Sequence, residues 1–190
     1  MTTRPPTDYG TDPMTRLIPR ERMDSQVRLD PYDPAWPAAF AALAAGIEAA
    51  LGSVAVAIHH AGSTSVPGLS AKPVIDIVLA VPDSTDEAAY VPPLEAIGYA
   101  LHIRETDWFE HRLLKFAGPA VNLHVFAAGC PEIDRMLAFR DWLRTHDDDR
   151  NLYQSEKLRL AARTWTYMQD YADAKSEVVE QIIARATAKP

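Results

Sequence analysis

The chain has 190 residues, 47% of them hydrophobic and 24% charged, enough for one domain that buries its own core without covalent staples. Its single cysteine, Cys130, excludes an internal disulfide and fits a reducing, cytoplasmic setting. A net charge of −7 speaks against a nucleic-acid partner, and the lack of an apolar leader or of any apolar run near the roughly 18 residues of a spanning helix speaks against secretion and a membrane.

Residues 1–26 carry Pro5, Pro6, Pro13 and Pro19 and no hydrophobic period, so they read as a flexible tail before a domain over residues 27–190. Val27 to Leu29 fits a short strand, and Pro31, Pro34 and Pro37 mark the loop after it. Phe40, Leu43, Ile47 and Leu51 recur at helical spacing and predict a helix over 36–51, stopped by Gly52. Residues 54–61 are β-branched and apolar, a buried strand. A polar loop of Gly, Ser, Thr and Pro follows over 62–72, and PVIDIVLAV over 73–81 is a second buried strand. A helix over 86–97 has Pro92 and Pro93 in its middle. Strands are expected over 99–103, 113–116 and 121–126, then helices over 131–144, 151–171 and 174–188. Asp147, Asp148 and Asp149 fall between two of these helices and read as a loop with an N-cap near Asn151.

The loop at 62–72 and the strand after it hold the chemistry. Gly62 lets the backbone turn sharply and approach a ligand. Ser63 and Thr64 offer hydroxyls beside backbone N–H groups, a plausible anion-binding concavity, and Lys72 adds positive charge. Asp76 stands inside an apolar strand, where an unpaired carboxylate is costly. It needs a cation, such as a metal that holds a triphosphate, or the N–H groups of the Gly-Ser loop, which it would then cap. From the residues alone both roles stay open.

The stretch HAGSTSVPGLSAKPVIDI resembles the signature of the GrpB family, assigned to the nucleotidyltransferase superfamily. The resemblance extends through Leu29-Asp30-Pro31-Tyr32-Asp33, Trp36, Leu94-Glu95-Ala96-Ile97-Gly98-Tyr99 and Asn122-Leu123-His124-Val125. It continues through Phe139-Arg140-Asp141-Trp142-Leu143-Arg144, Tyr153 with Lys157, and Tyr171 with Lys175. It implies an α/β (α+β) fold, a nucleotidyltransferase-like mixed sheet with flanking helices and a helical C-terminal third. It also implies a Gly-Ser turn that grips nucleotide phosphates, and carboxylates that hold magnesium. Gly62, Ser63 and Asp76 match the pattern. Val78 stands where a second carboxylate would fall, and the later strand offers Asn122 and His124 in place of a third. One metal held by Asp76 and His124, or phosphate binding without metal-dependent transfer, are the two outcomes this departure allows.

Around that centre, His60 ends the strand before Gly62 and is a candidate base or metal ligand against a structural role. His124 alternates with Leu123 and Val125, so it points to the opposite face from them. Arg112 suits a phosphate or a strand-end salt bridge. Arg140 and Lys157 match the family pattern and are candidates to line a nucleotide pocket, and Tyr153 to stack on a base. The implied function is nucleotidyl transfer from ATP or another nucleoside triphosphate to a small-molecule acceptor, which includes adenylation of a carboxylate for amide formation. The alternative is a nucleotide- or coenzyme-binding module without catalysis, in keeping with the joining of GrpB-like segments to dephospho-coenzyme A kinase. Oligomeric state is not legible.

Overall fold

The computed structural model describes residue 17 and residues 22–116 and 120–188. Its strands are β1 (Ala57–Ala61), β2 (Ile75–Val81), β3 (Tyr99–Glu105), β4 (His111–Phe116) and β5 (Val121–Ala127). They form one mixed sheet in the order β1-β2-β5-β4-β3. Only the β2–β5 pair is parallel; the other three pairings are antiparallel. The two central strands are thus distant in sequence, and their pairing sets Asp76 beside Asn122 and Val78 beside His124.

Strand alternation divides the sheet into two faces. Ile75, Ile77, Leu79, Val81, Leu123 and Val125 form the main core, which α1 (Trp36–Leu51) covers through Trp36, Ile47 and Leu51, and α2 (Glu87–Ala96) through Tyr90 and Leu94. On the other face Val78, Ala80 and Phe126 receive Ile133, Met136 and Leu137 of α3 (Pro131–Thr145). The next helix, α4 (Asp147–Ala161), is followed by the short α5 (Met168–Asp173) and by α6 (Ser176–Thr187). Leu143 of α3, Tyr153 of α4 and Ile182 of α6 close over Val66 and Leu69 of the loop before β2. The helical third is therefore the lid of the Gly-Ser loop. The architecture is the mixed sheet with flanking helices that the resemblance implies.

Four expectations change. Residues 52–54 close in a 3-10 turn, so the first strand starts at Ala57. No single helix spans 151–171. The helix α4 starts four residues earlier and ends at Ala161, because Trp165 leaves helical geometry to pair with Ser25, and Met23 donates to the Thr166 carbonyl. Asp147, Asp148 and Asp149 form the first turn of α4, where negative charge complements the helix N-terminus, and Asp149 accepts from the Trp142 indole and Arg185. Finally, residues 36–54 are long and apolar enough by length and mean hydropathy to cross a membrane. That value rests largely on small alanines, while the large apolar side chains of α1 pack on the sheet.

Leu17 donates to the His102 carbonyl, and residues 23–25 are tied to residues 165–166; the rest of residues 1–21 lies outside the described residues. Val27 is buried and donates to the Ala161 carbonyl, but it joins no regular strand.

Candidate functional site

The turn after β1 is held by its own short bonds. Gly62 sits at φ 63°, ψ −172°, a region that side chains disfavour, and a Cβ there would lie 2.2 Å from the nearer Asp76 carboxylate oxygen. Glycine is needed because the backbone passes directly against Asp76. Residues 63–65 make a 3-10 turn, and the Ser65 hydroxyl donates to the Gly62 carbonyl at 2.6 Å. From α3, Arg140 donates to the His60 carbonyl at 2.9 Å and Arg144 to the Ser65 carbonyl at 2.8 and 3.0 Å. These guanidinium groups clamp the backbone on either side of the turn.

Asp76 lies across from the turn, paired in register with Ala61. The Asn122 amide donates to Asp76 Oδ1 at 2.8 Å, and His124 Nε2 stands 3.8 Å from the same oxygen. Burial alone would raise the Asp76 pKa; His124, the Asn122 bond and the charge of Lys72 outweigh it and hold the carboxyl below its usual range. Behind His124 runs a chain of contacts. His124 Nδ1 lies 3.1 Å from His111 Nε2, and His111 Nδ1 lies 2.7 Å from Glu105 Oε2. A carboxylate only accepts, so Glu105 fixes the proton on His111 Nδ1. His111 Nε2 then accepts from His124 Nδ1, and His124 Nε2 faces Asp76.

Positive charge collects at the same place. Lys157 of α4 is buried and donates to Ser63 Oγ at 2.9 Å and to the Ser70 carbonyl. Lys72 and Lys175 are near enough for their charges to act on Lys157. Burial, then the neighbouring lysines, push Lys157 down to about 6 and Lys72 to about 8. Burial also brings Lys175 to about 8, against the pull of Asp76. A cavity of about 630 Å³ opens here, lined by Gly62, His124, Tyr153 and Lys175 among others.

The GrpB protein family matches residues 26–185. The chain belongs to the GrpB family. A UPF0157 protein of Halalkalibacterium halodurans is 53% identical over 165 residues, 87% of this chain and 85% of that one. The crystal structure of conserved protein GrpB from Enterococcus faecalis has a TM-score of 0.67 at 28% identity and covers 81% of this chain and 98% of its own. A dephospho-CoA kinase of Mycolicibacterium paratuberculosis is 30% identical over 167 residues, 74% of this chain but 41% of the kinase.

In this GrpB chain the structure brings Gly62, Ser63, Asp76, His124, Tyr153 and Lys157 together, with Lys72 near enough to act on Asp76. It sets four other candidates elsewhere. His60 pairs with Ile77 and so faces α1, stacked on Phe40 with centroids 4.6 Å apart, and burial pushes its pKa down to about 4. Thr64 is buried and engaged by His60 and the Val74 carbonyl, so its hydroxyl braces the turn from beneath. Arg112 pairs with Val125, which sets it on the α2 face, held by Glu87 at 2.6 Å and Glu110 at 3.1 Å. Arg140 is taken up by the His60 carbonyl and Asp141. Tyr153 is buried edge-to-face on Phe139, and burial pushes its phenol up to about 12.

The two-magnesium carboxylate set implied by the resemblance does not fit the donors present. Each magnesium takes six oxygens, one or two of them ordinarily from protein carboxylates and the others from water and phosphate. Asp76 is the one carboxylate that β2 and β5 present beside the Gly-Ser turn, Val78 is fully buried in apolar contacts, and Asn122 turns an N–H toward Asp76. His124 offers nitrogen, a poor donor for so hard a cation. Among the described residues no group of three or more His, Cys, Asp or Glu side chains could hold a metal ion.

Proposed function

We propose that the site binds the phosphates of a nucleoside triphosphate against the Gly62–Ser63 turn and transfers a nucleotidyl group to a small acceptor. The observation that carries this is that Gly62 of the turn, His124 and Lys175 line one cavity of about 630 Å³, a size suited to a small ligand, with Lys157 bonded to Ser63 behind the turn. In the reaction an acceptor hydroxyl attacks the α-phosphorus, the bond to the β-phosphate oxygen breaks, and pyrophosphate leaves. The hydroxyl proton passes to His124 Nε2, and the lysine charges stabilise the departing pyrophosphate. A carboxylate acceptor brings no proton and yields an acyl-adenylate. The test is pyrophosphate release from ATP over a panel of hydroxyl and carboxylate acceptors. Release that His124→Ala abolishes supports the reading; no release with any acceptor refutes it.

A second reading, favoured by Val78 and Asn122, is a nucleotide or coenzyme carrier that performs no transfer. Calorimetric binding of ATP or coenzyme A without any new product by mass spectrometry would select it.

A further inference from the structure

Three lysines gather near Asp76 at this site; the cavity wall also carries Glu132 and Glu180, both held by Arg135, with Glu177 and with Asp173, whose charge acts on Lys175. Lys72 and Lys157 each feel Lys175, Lys157 also feels Lys72, and all three feel Asp76. Among the described residues no carboxylate oxygen lies within salt-bridge distance of any of the three. Lys157, only 3% exposed, has a hydroxyl and a carbonyl as its partners, not a counter-ion. A desolvated cation without a counter-ion is costly, and like charges side by side add to that cost. An anion seated on the turn removes both penalties at once.

The negative side of the site is accounted for in the opposite sense. Asp76 is packed against the Gly62 backbone, bonded by Asn122 and faced by His124, and the neighbouring position that would complete a metal pair is the buried Val78. The site therefore brings lysine amines to the turn, in a chain whose overall charge is −7, and an anion seated there favours their charged forms. Resting on the phosphate-site reading above, we infer that Lys72, Lys157 and Lys175 supply the positive charge that magnesium supplies elsewhere, so that this protein binds a polyphosphate without a divalent metal.

Lys175 belongs to the cavity wall and meets the phosphates directly, and its Nζ lies 4.5 Å from the Tyr171 ring centroid. Lys157 acts from behind, through Ser63 Oγ, which it polarises as a donor toward the ligand. Lys72 lies three residues before β2, and its charge acts on Asp76.

The test is titration calorimetry with two probes, ATP and inorganic tripolyphosphate, each in excess EDTA and in magnesium. Both probes are expected to bind in EDTA at least as tightly as in magnesium, because the free polyphosphate carries more charge than its metal complex. Lys175→Met is expected to weaken binding in EDTA by about tenfold, one charge-assisted contact. Lys72→Met is a second charge deletion, with an effect in the same direction. Binding of either probe only in magnesium overturns the inference and leaves the nucleotide reading standing. Tripolyphosphate binding in EDTA with no ATP binding in either buffer supports the inference and removes the nucleotide. Failure of both probes in both buffers overturns both. Unchanged affinity in EDTA on loss of either lysine overturns the assignment of charge to these residues.

Discussion

Three residues of the site, Gly62, Lys157 and Glu105, each give a measurable consequence. Any side chain at Gly62 meets the Asp76 carboxylate while the backbone holds a conformation that favours glycine. Gly62→Ala is expected to cost about 1–3 kcal/mol from the backbone alone, read by urea denaturation, and to displace Asp76. Lys157 has its pKa depressed to about 6, against about 10.4 in an unfolded chain. Between those values the unfolded chain holds a proton that the folded one lacks, so stability rises with pH. Lys72 and Lys175, both lowered to about 8, add to the rise above neutral pH. Melting curves of the protein should climb from about pH 7 to 9, and Lys157→Met should make the climb shallower. Glu105 acts at one remove, through His111, to orient His124. Glu105→Gln should slow pyrophosphate release by less than the about 10²–10⁴-fold expected of losing the base, with ATP affinity unchanged.

At the scale of elements, the Gly-Ser turn depends on α3 as much as on its own sequence. Arg144 gives the Ser65 carbonyl two bonds, and Arg140 gives one to the His60 carbonyl. Arg144→Met is expected to destabilise by about 1–2 kcal/mol, the value for charged hydrogen bonds reduced for partial exposure. It should also weaken tripolyphosphate binding, since the turn loses its clamp; unchanged affinity by calorimetry would separate clamp from site. The break after α4 is an element-scale effect of the same kind. The run from Asn151 to Tyr171 shows no proline or glycine to stop a helix, yet pairing of Trp165 with Ser25 and a Tyr167–Asp170 capping box stop one helix and start another. That break lets α5 and α6 fold back, and so it carries Lys175 to the cavity.

For the whole molecule, the sheet supplies Asp76 and His124 while the helical third supplies Lys157 and Lys175. The site exists only where the two layers meet. Ile182 of α6 is fully buried against Val66 and Leu69 of the loop before β2 and against α3 and α4. Ile182→Ala should cost about 2–5 kcal/mol and lower the melting temperature in a single transition, because no separate core remains to melt alone. A polyphosphate bound between the layers should raise the melting temperature by mass action.

The amino-acid sequence by itself determined all five strands and five of the helical segments in outline, and the Gly62–Ser63 turn with Asp76 beyond it. These are local facts: hydrophobic period, chain-breaking residues and a carboxylate out of place in an apolar run. The side of the sheet that each candidate faces was decided by register between strands far apart in the chain. It sends His60 and Arg112 to the helix-covered α1 and α2 face and sets Asn122 beside Asp76. Glu105, His111 and His124 meet only because the β3–β4 hairpin docks on β5. Lys157 stands on α4 and Lys175 in the turn before α6, with no spacing that would announce a shared target. What a turn is made of can be read from its residues; what charge surrounds it depends on which helices are folded over it.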